Sequence, residues 1–327
     1  MKAMVVASTE DKGRLELQEV PDPVPGPEDL LVAVKATALN RGDLLQRMGA
    51  YPQPGPKPEF EIPGLELAGE VIETGARVDG FEKGDRVMAL VAGGGYAEKA
   101  VVHYRHAAKV PAGLSWHEAG GTPEVFITAH DALRQSSLQS GESLLIHAVG
   151  SGVGMAATQI AKVLGAQPVF GTAGSAEKLD RARELGLDIG INYREQDFAE
   201  VIKETTGGQG VDTILDVIGA DYWSRNIQSL ATLGRMTLVG LMGGATAETN
   251  MGLLLRKRLQ VRGTVLRSRP HEEKGAAVQA FVKSVLPHIG SGRISVVVDR
   301  VFPLAEAQAA QDYMETNANF GKIVLET

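Results

Sequence analysis

The stretch IHAVGSGVGMAATQIAKVLGA, Ile146 to Ala166, decides the fold. It sets glycines at 150, 152 and 154 between an apolar run, SLLIHA (143–148), and a helical pattern carried by Val153, Ala156, Ala157, Ile160, Ala161 and Leu164. A phosphate-binding turn in this setting ordinarily reads G-x-G-x-x-G. Here the spacing is a variant, Ala148-x-x-Ser151-x-x-Gly154, in which each of these positions keeps a small residue. Small residues let the backbone approach a pyrophosphate, let the helix start lie against the strand, and leave N–H groups facing the anion. Ala148, Gly150, Ser151, Gly152, Val153 and Gly154 are therefore candidate cofactor-binding residues, with the Ser151 hydroxyl as an added polar group. A tight strand-to-helix turn with no ligand would read the same way, so the surroundings must decide.

Downstream, the apolar runs QPVFGTA (167–173), DIGINY (188–193), VDTILDVI (211–218), RMTLVGL (235–241) and VRGTVL (261–266) alternate with helical patterns. Six such units predict a doubly wound parallel sheet buried on both faces. Upstream, from Met1 to about Pro111, the texture differs: LLVAVKATAL (30–39), GEVIETG (69–75), DRVMALV (85–91) and AEKAVVH (97–103) are short runs punctuated by Gly and Pro, as in an antiparallel β unit. From about Arg269 a helix (272–286), a second helical pattern (304–316) and a closing strand, GKIVLE (321–326), are expected. A chain of 327 residues suits about two domains.

Composition narrows the function. Lys plus Arg is 33 and Asp plus Glu is 40, a net charge of −7 that repels a phosphate backbone and argues against a nucleic-acid partner. The absence of cysteine excludes disulfides, thiolate zinc sites, iron-sulfur clusters and a cysteine nucleophile. The start, MKAMVVASTEDKGR, has a five-residue apolar run, too short for a signal peptide, and no stretch approaches the roughly 20 apolar residues of a membrane span. No membrane association and a cytoplasmic location are expected.

Together with ALNRGDLLQRMGAYP (38–52), IPGLELAGEV (62–71), GDRVMALVAGGGYAE (84–98), TAGSAEKL (172–179), LPHIGSGRI (286–294) and YMETNANFGKIVLE (313–326), the glycine turn carries a resemblance that spans essentially the whole chain. The chain resembles the zinc-free quinone oxidoreductase (zeta-crystallin-like) branch of the medium-chain dehydrogenase/reductase superfamily, most of all its stress-inducible NADPH quinone oxidoreductase subgroup. The resemblance implies an α/β protein with two domains. One is a GroES-like, mainly-β catalytic domain from residues 1–122 plus 269–327; the other is a six-stranded doubly wound parallel-sheet (Rossmann) cofactor domain from 123–268, with the cofactor lying in the cleft. It implies a substrate slot lined by Asn40, Asp43 and Tyr51, Thr128 near the nicotinamide, and Asn319, Gly321 and Lys322 as a closing cofactor contact. Asn40, Tyr51 and Ser151 are the catalytic candidates, Asn40 also touching cofactor.

NAD-binding folds place an Asp or Glu about 20 residues after the glycines to read the ribose 2′-hydroxyl. Here that position is Gly174, followed by Ser175 and Lys178 at a helix start, which suits a 2′-phosphate and hence NADPH. Tyr193 matches the subgroup's adenosine-side contact. Ser175 as a plain helix cap and Lys178 as a surface charge is the bland alternative. Ile218, Leu241, Met242, Gly243, Leu266 and Ser268, at or beyond the ends of the later runs, complete the cofactor candidates, since ligands bind at carboxyl ends of strands in such sheets.

No metal is expected. Zinc members use a Cys and a Gly-His-Glu turn, whereas this chain has Asn40 to Asp43 near the first position and Leu65 within Gly64-Leu65-Glu66 at the second. The seven histidines, at 103, 106, 117, 130, 147, 271 and 288, show no H-E-x-x-H or comparable ligand spacing. Tyr51 could stack on a flat acceptor or donate to its oxygen, or be a loop aromatic in YPQPGP; Asp43 reads best as the cap of a helix beginning LLQRM. The expected reaction is metal-free hydride transfer from NADPH to a quinone. Reduction of α,β-unsaturated aldehydes or ketones, and a non-catalytic NADPH-binding role, are the alternatives. A homodimer joined along VRGTVL is expected from its apolar edge.

Overall fold

The computed structural model describes residues 1–51 and 53–327; Pro52, which closes the 38–52 stretch, lies outside the described residues. The first segment carries β1 (Lys2–Ser8), β2 (Arg14–Glu19), β3 (Asp29–Ala38), α1 (Arg41–Arg47), β4 (Glu66–Thr74), β5 (Arg86–Leu90), β6 (Lys99–His103), a 3-10 turn (Tyr104–His106), β7 (Ala107–Lys109), α2 (Trp116–Gly120) and α3 (Pro123–Gln135). There follow β8 (Leu144–Ile146), α4 (Gly152–Val163), β9 (Val169–Ala173), α5 (Ala176–Glu184), β10 (Ile189–Asn192), α6 (Phe198–Thr205), β11 (Val211–Asp216), α7 (Ala220–Ser229), β12 (Leu230–Leu238), α8 (Met251–Lys257) and β13 (Gln260–Gly263). The tail carries α9 (His271–Ser284), α10 (Leu286–Gly290), β14 (Val298–Pro303), a 3-10 turn (Leu304–Glu306), α11 (Ala307–Glu315) and β15 (Lys322–Glu326). Two compact units result, Met1–Ile127 with Leu266–Thr327, and Thr128–Val265.

In the first unit a seven-stranded sheet runs β14-β15-β3-β4-β5-β7, with β6 also on β3, beside the hairpin β1-β2. β3 is long enough to share one edge between two partners: residues 29–33 pair with β6 and 36–38 with β15. The tail thus joins the β unit, and one core mixes both ends of the sequence, Met4, Leu15, Leu39, Leu44 and Tyr96 with Leu304, Met314, Ile323 and Leu325. The single helix expected over 272–286 is broken at Val285, because Pro287 in the first turn of α10 has no N–H to continue the ladder.

In the second unit all six strands are parallel in the order β10-β9-β8-β11-β12-β13. β8, β9 and most of β11 are buried on both faces, as right-handed crossovers with helices on either side require. The core beneath α6 and α7 is Leu145, Phe170, Ile191, Phe198, Ile202, Ile214 and Ile227. The chain reverses direction across the sheet between β8 and β11, the place where such folds bind ligands at the carboxyl ends of strands. β13 is shorter than expected and largely exposed, ending at Gly263.

Candidate functional site: a dinucleotide cradle and a buried polar cluster

In the second unit, β8 delivers the chain into the glycine turn. Ala148 takes a left-handed conformation, φ 54°, with its N–H 3.3 Å from Thr172 Oγ1, while the Val149 N–H donates to the Thr172 carbonyl at 3.0 Å. Ser151 is the N-cap of α4: its Oγ accepts the Gly154 N–H at 3.0 Å, which leaves its proton free to be donated to an anion. A Cβ on Gly154 would stand 2.3 Å from the Ala148 carbonyl oxygen, which no relaxation of a side chain relieves. That glycine is therefore the one that fixes helix against strand. Gly150 precedes the cap, and Gly152 and Val153 open α4, whose first-turn amides lack intrahelical partners and favour an anion.

At the next strand, Gly174, Ser175, Lys178 and Tyr193 come together. Ser175 caps α5, accepting the Lys178 N–H at 3.4 Å, so the bland reading of Ser175 is true of its geometry. A Cβ on Gly174 would lie 2.7 Å from the Tyr193 hydroxyl and 3.2 Å from Arg194 Nε, so the outer ends of these two side chains close over the glycine. Arg194, one residue beyond Tyr193, adds a second cation to this loop, and glycine spacing gave no signal for it.

Past β11, Asp216 organises the neighbouring loop. Its Oδ1 accepts the Ile218 N–H at 2.7 Å, and Gly219 N–H lies 3.2 Å from Oδ2. Ile218 in turn accepts the Gly243 N–H at 2.7 Å, and Val217 the Met242 N–H at 3.3 Å, which ties the 241–243 loop to the end of β11. Leu241 and Met242 are exposed at its rim. Burial pushes Asp216 up to about 6 against the pull of the Ile218, Gly219 and Asn226 donors. Asn226 bridges Asp216 Oδ2, 3.0 Å, to His147 Nε2, 2.7 Å, and His147 Nδ1 lies 3.0 Å from Thr172 Oγ1. Burial holds His147 down at about 4, so it stays neutral and completes a chain of hydrogen bonds beneath the turn. Thr128 is half-buried in α3.

In the first unit, Asn40 caps α1, and its side chain turns inward: Nδ2 donates to Glu66 Oε1 at 2.9 Å, and Oδ1 accepts from Lys322 Nζ at 2.8 Å. Lys322 Nζ also meets Glu66 Oε1 at 2.8 Å and the Leu39 carbonyl at 2.7 Å, with both charged side chains buried. The Lys322 ammonium is thus committed within the unit rather than presented outward. Glu66 Oε2 accepts the Glu124 N–H at 2.8 Å, at the positive end of α3. Glu124 itself is pushed up to about 8, by burial first and by the Glu66 charge second, though part of its surface stays open to solvent.

Asp43 sits at the third position of α1, because the helix starts earlier than LLQRM suggests; its Oδ2 takes the Asn40 N–H at 2.8 Å. It also accepts the Gly64 N–H at 3.0 Å and the Tyr96 hydroxyl at 3.1 Å, and is fully buried, which pushes it up to about 6. Asp43 is thereby a positioning residue for Asn40. Tyr51 has one ring face covered: the Arg267 guanidinium stands 4.5 Å over its centroid and donates to the Tyr51 carbonyl at 2.7 Å. Arg267 also donates to Gln46 Oε1 and the Ala92 carbonyl, at 2.7 and 2.9 Å. Burial raises the Tyr51 hydroxyl above its ordinary range, with Arg267 pulling the other way. Leu266 is buried and Ser268 exposed in the turn that presents Arg267. Asn319 Nδ2 donates to the Gly321 carbonyl at 3.0 Å, just before β15.

Comparison with known proteins agrees with this architecture. Residues 26–112 match the family described as alcohol dehydrogenase GroES-like domain, and residues 152–283 the family described as zinc-binding dehydrogenase. The quinone oxidoreductase of Lama guanicoe is 32% identical over 330 residues, covering 99% of this chain and 97% of that protein. The chain belongs to the medium-chain dehydrogenase/reductase superfamily. Among solved members of the superfamily, the Escherichia coli quinone oxidoreductase complexed with NADPH is 31% identical with a TM-score of 0.89, each chain covered completely. A structure described as an NAD-dependent alcohol dehydrogenase is 30% identical with a TM-score of 0.87, again over both whole chains.

The name of the second matched family implies zinc, and the donor set does not fit it. Leu65 offers no ligand atom, and Asn40 Oδ1 and Glu66 Oε1, the acceptors at the two matching stretches, already surround the Lys322 ammonium. The cofactor cradle, by contrast, fits a dinucleotide: the small-residue turn, the α4 start and the Gly174 approach are those a pyrophosphate and an adenosine ribose require.

Proposed function

We propose that this superfamily member is an NADPH-dependent, zinc-independent quinone oxidoreductase that converts a quinone, NADPH and a proton into hydroquinone and NADP⁺. The observation that carries the proposal is the loop after β9, where Gly174 and Ser175 stand in place of a carboxylate and Lys178, Tyr193 and Arg194 surround the site. A 2′-phosphate finds a hydroxyl, a helix start and cations there. Bound NADPH supplies the hydride; the chain supplies orientation. The glycine turn and Ser151 hold the pyrophosphate, and Ile218 with Leu241–Gly243 shape the nicotinamide end. Tyr51 keeps its proton at neutral pH and donates it in a hydrogen bond to the acceptor oxygen, while Arg267 locks its ring. The names of the quinone oxidoreductase relatives support the substrate class.

The test is steady-state turnover of a quinone series and an alkenal series with NADPH and with NADH, for the wild type and for Lys178→Ala. Quinones with NADPH should be the best pair, and Lys178→Ala should weaken NADPH by about 1–3 kcal/mol and leave NADH unchanged, the loss of one charged hydrogen bond. Equal losses with both cofactors overturn the cofactor assignment. Alkenals turned over faster than every quinone move the substrate to the enone class.

A further inference from the structure

Three of the seven histidines, unremarkable by spacing, lie together in the first unit. His103 ends β6, His106 closes the 3-10 turn, and His271 opens α9. The tight turn sets the first two rings with centroids 5.0 Å apart, and His271 stands 4.5 Å from His103 and 5.1 Å from His106. α9 comes this near because Gly275 faces the turn: a Cβ there would reach 3.1 Å from Arg105 Cβ. One ring nitrogen of each histidine lies within 4.8 Å of the other two.

We propose that His103, His106 and His271 bind one divalent cation of the imidazole-preferring class, with Zn²⁺ as the type. None of the three belongs to the cradle or to the Asn40–Lys322 cluster. Tetrahedral Zn–N distances of about 2.0–2.1 Å put ligand nitrogens roughly 3.4 Å apart, so binding would draw together nitrogens that already lie within 4.8 Å of one another. His106 is already set for the role. Its Nε2 faces the His271 carbonyl at 3.3 Å, and a carbonyl only accepts, so the proton is on Nε2 and Nδ1 keeps its lone pair. A ligating imidazole is commonly oriented in this way, by its other N–H on a backbone carbonyl. His103 Nδ1 accepts only a 3.3 Å bond from the Arg105 N–H, which water can replace. His271 is exposed, which leaves a fourth position open to solvent.

The neighbouring cations are engaged elsewhere: Lys274 Nζ donates to the Arg267 carbonyl at 3.0 Å, and the Arg105 guanidinium lies 5.5 Å over the Tyr104 ring. Three imidazole nitrogens with no carboxylate in the set favour zinc, copper, nickel or cobalt over calcium or magnesium. The ion would clip the 3-10 turn after β6 to α9, with His106 and His271 lying 165 residues apart in sequence.

The experiment uses untagged full-length protein stripped with chelator and titrated with ZnCl₂ by calorimetry, with the melting temperature followed in parallel and NADPH affinity as a check on folding. The wild type should bind one Zn²⁺ per chain and melt higher with it. His271→Ala and His103→Ala should each weaken Zn²⁺ binding at least about tenfold with NADPH affinity unchanged, and the double variant should abolish it. His288→Ala should bind as the wild type does. Lack of saturable binding in the wild type, or equal affinity in the double variant, overturns the proposal.

Discussion

Replacing Lys322 by methionine isolates the buried ion pair that anchors the first unit. Methionine keeps most of the stem's volume and removes the ammonium, so Glu66 Oε1 loses its 2.8 Å charge partner and retains only the Asn40 amide at 2.9 Å. The Leu39 carbonyl and Asn40 Oδ1 lose their donor in the same stroke. Removing one partner of a buried pair leaves an uncompensated charge and costs about 3–5 kcal/mol. At about 2–4 °C per kcal/mol for a unit of this size, the melting temperature should fall by roughly 6–20 °C. Because a two-unit chain need not unfold in one step, the first unit is best followed by Trp116 fluorescence in a Trp223→Phe background, each unit holding one of the two tryptophans. Adding Glu66→Gln removes the stranded charge while keeping an acceptor, and should restore more than half of the loss. A cost below about 1 kcal/mol for Lys322→Met, or a double variant no more stable than the single one, would refute the account.

Tyr51→Phe keeps the ring under Arg267 and removes only the hydroxyl, so kcat/KM for quinones should drop by about 1 kcal/mol equivalent, up to about 3 if the bond is dry; unchanged kinetics would remove Tyr51 from the chemistry. Asp216 carries a folded pKa of about 6 against an ordinary 3.8. At Asp216 the folded state therefore binds more protons between these values, a contribution to the stability of the second unit that declines by up to about 3 kcal/mol as pH rises through that window, opposite in sign to that of His147, which burial holds down at about 4. In Asp216→Asn that contribution should be missing, so the difference in urea-unfolding free energy between wild type and variant should change with pH across the window, and a pH-independent difference would assign it elsewhere. The exposed edge of β13, with Leu233, Met251, Leu255 and Val265 exposed in the same unit, should pair two copies into a homodimer. Light scattering at micromolar concentration that returns a monomer would contradict this.

The cofactor unit was largely legible because its signals are local. Small residues between a strand and a helix, and the lack of a carboxylate at Gly174, are readable within 30 residues of one another. Ser175 is a helix cap in its geometry, and because an anion would use the same helix start the sequence alone does not part the two readings. Boundaries were less legible: Asn40 starts α1 and so moves Asp43 from a cap to the third helical position. The polar cluster of the first unit was invisible as a cluster, because Glu66 meets Glu124 across 58 positions, and Arg267 meets Gln46 across 221. No periodicity encodes such pairings; only the sheet order does. The grouping of the three histidines was illegible for the same reason: His103 and His106 stand at the two ends of one short stretch, and His271 opens a helix from the far end of the sequence.

β15 lies between β14 and β3, so the sheet of the first unit is closed by residues 322–326. During synthesis this has a consequence in time. The second unit, 128–265, is contiguous and can fold as soon as it emerges, whereas the N-terminal β unit waits with an open β3 edge for the last strand. At about 5–20 residues per second, that interval is on the order of 10–40 s after Ile127 is made. Throughout it, Leu39, Leu44 and Tyr96 lack the Leu304, Met314 and Ile323 side chains that cover them in the finished fold, and the half-built unit is the species that chaperones meet.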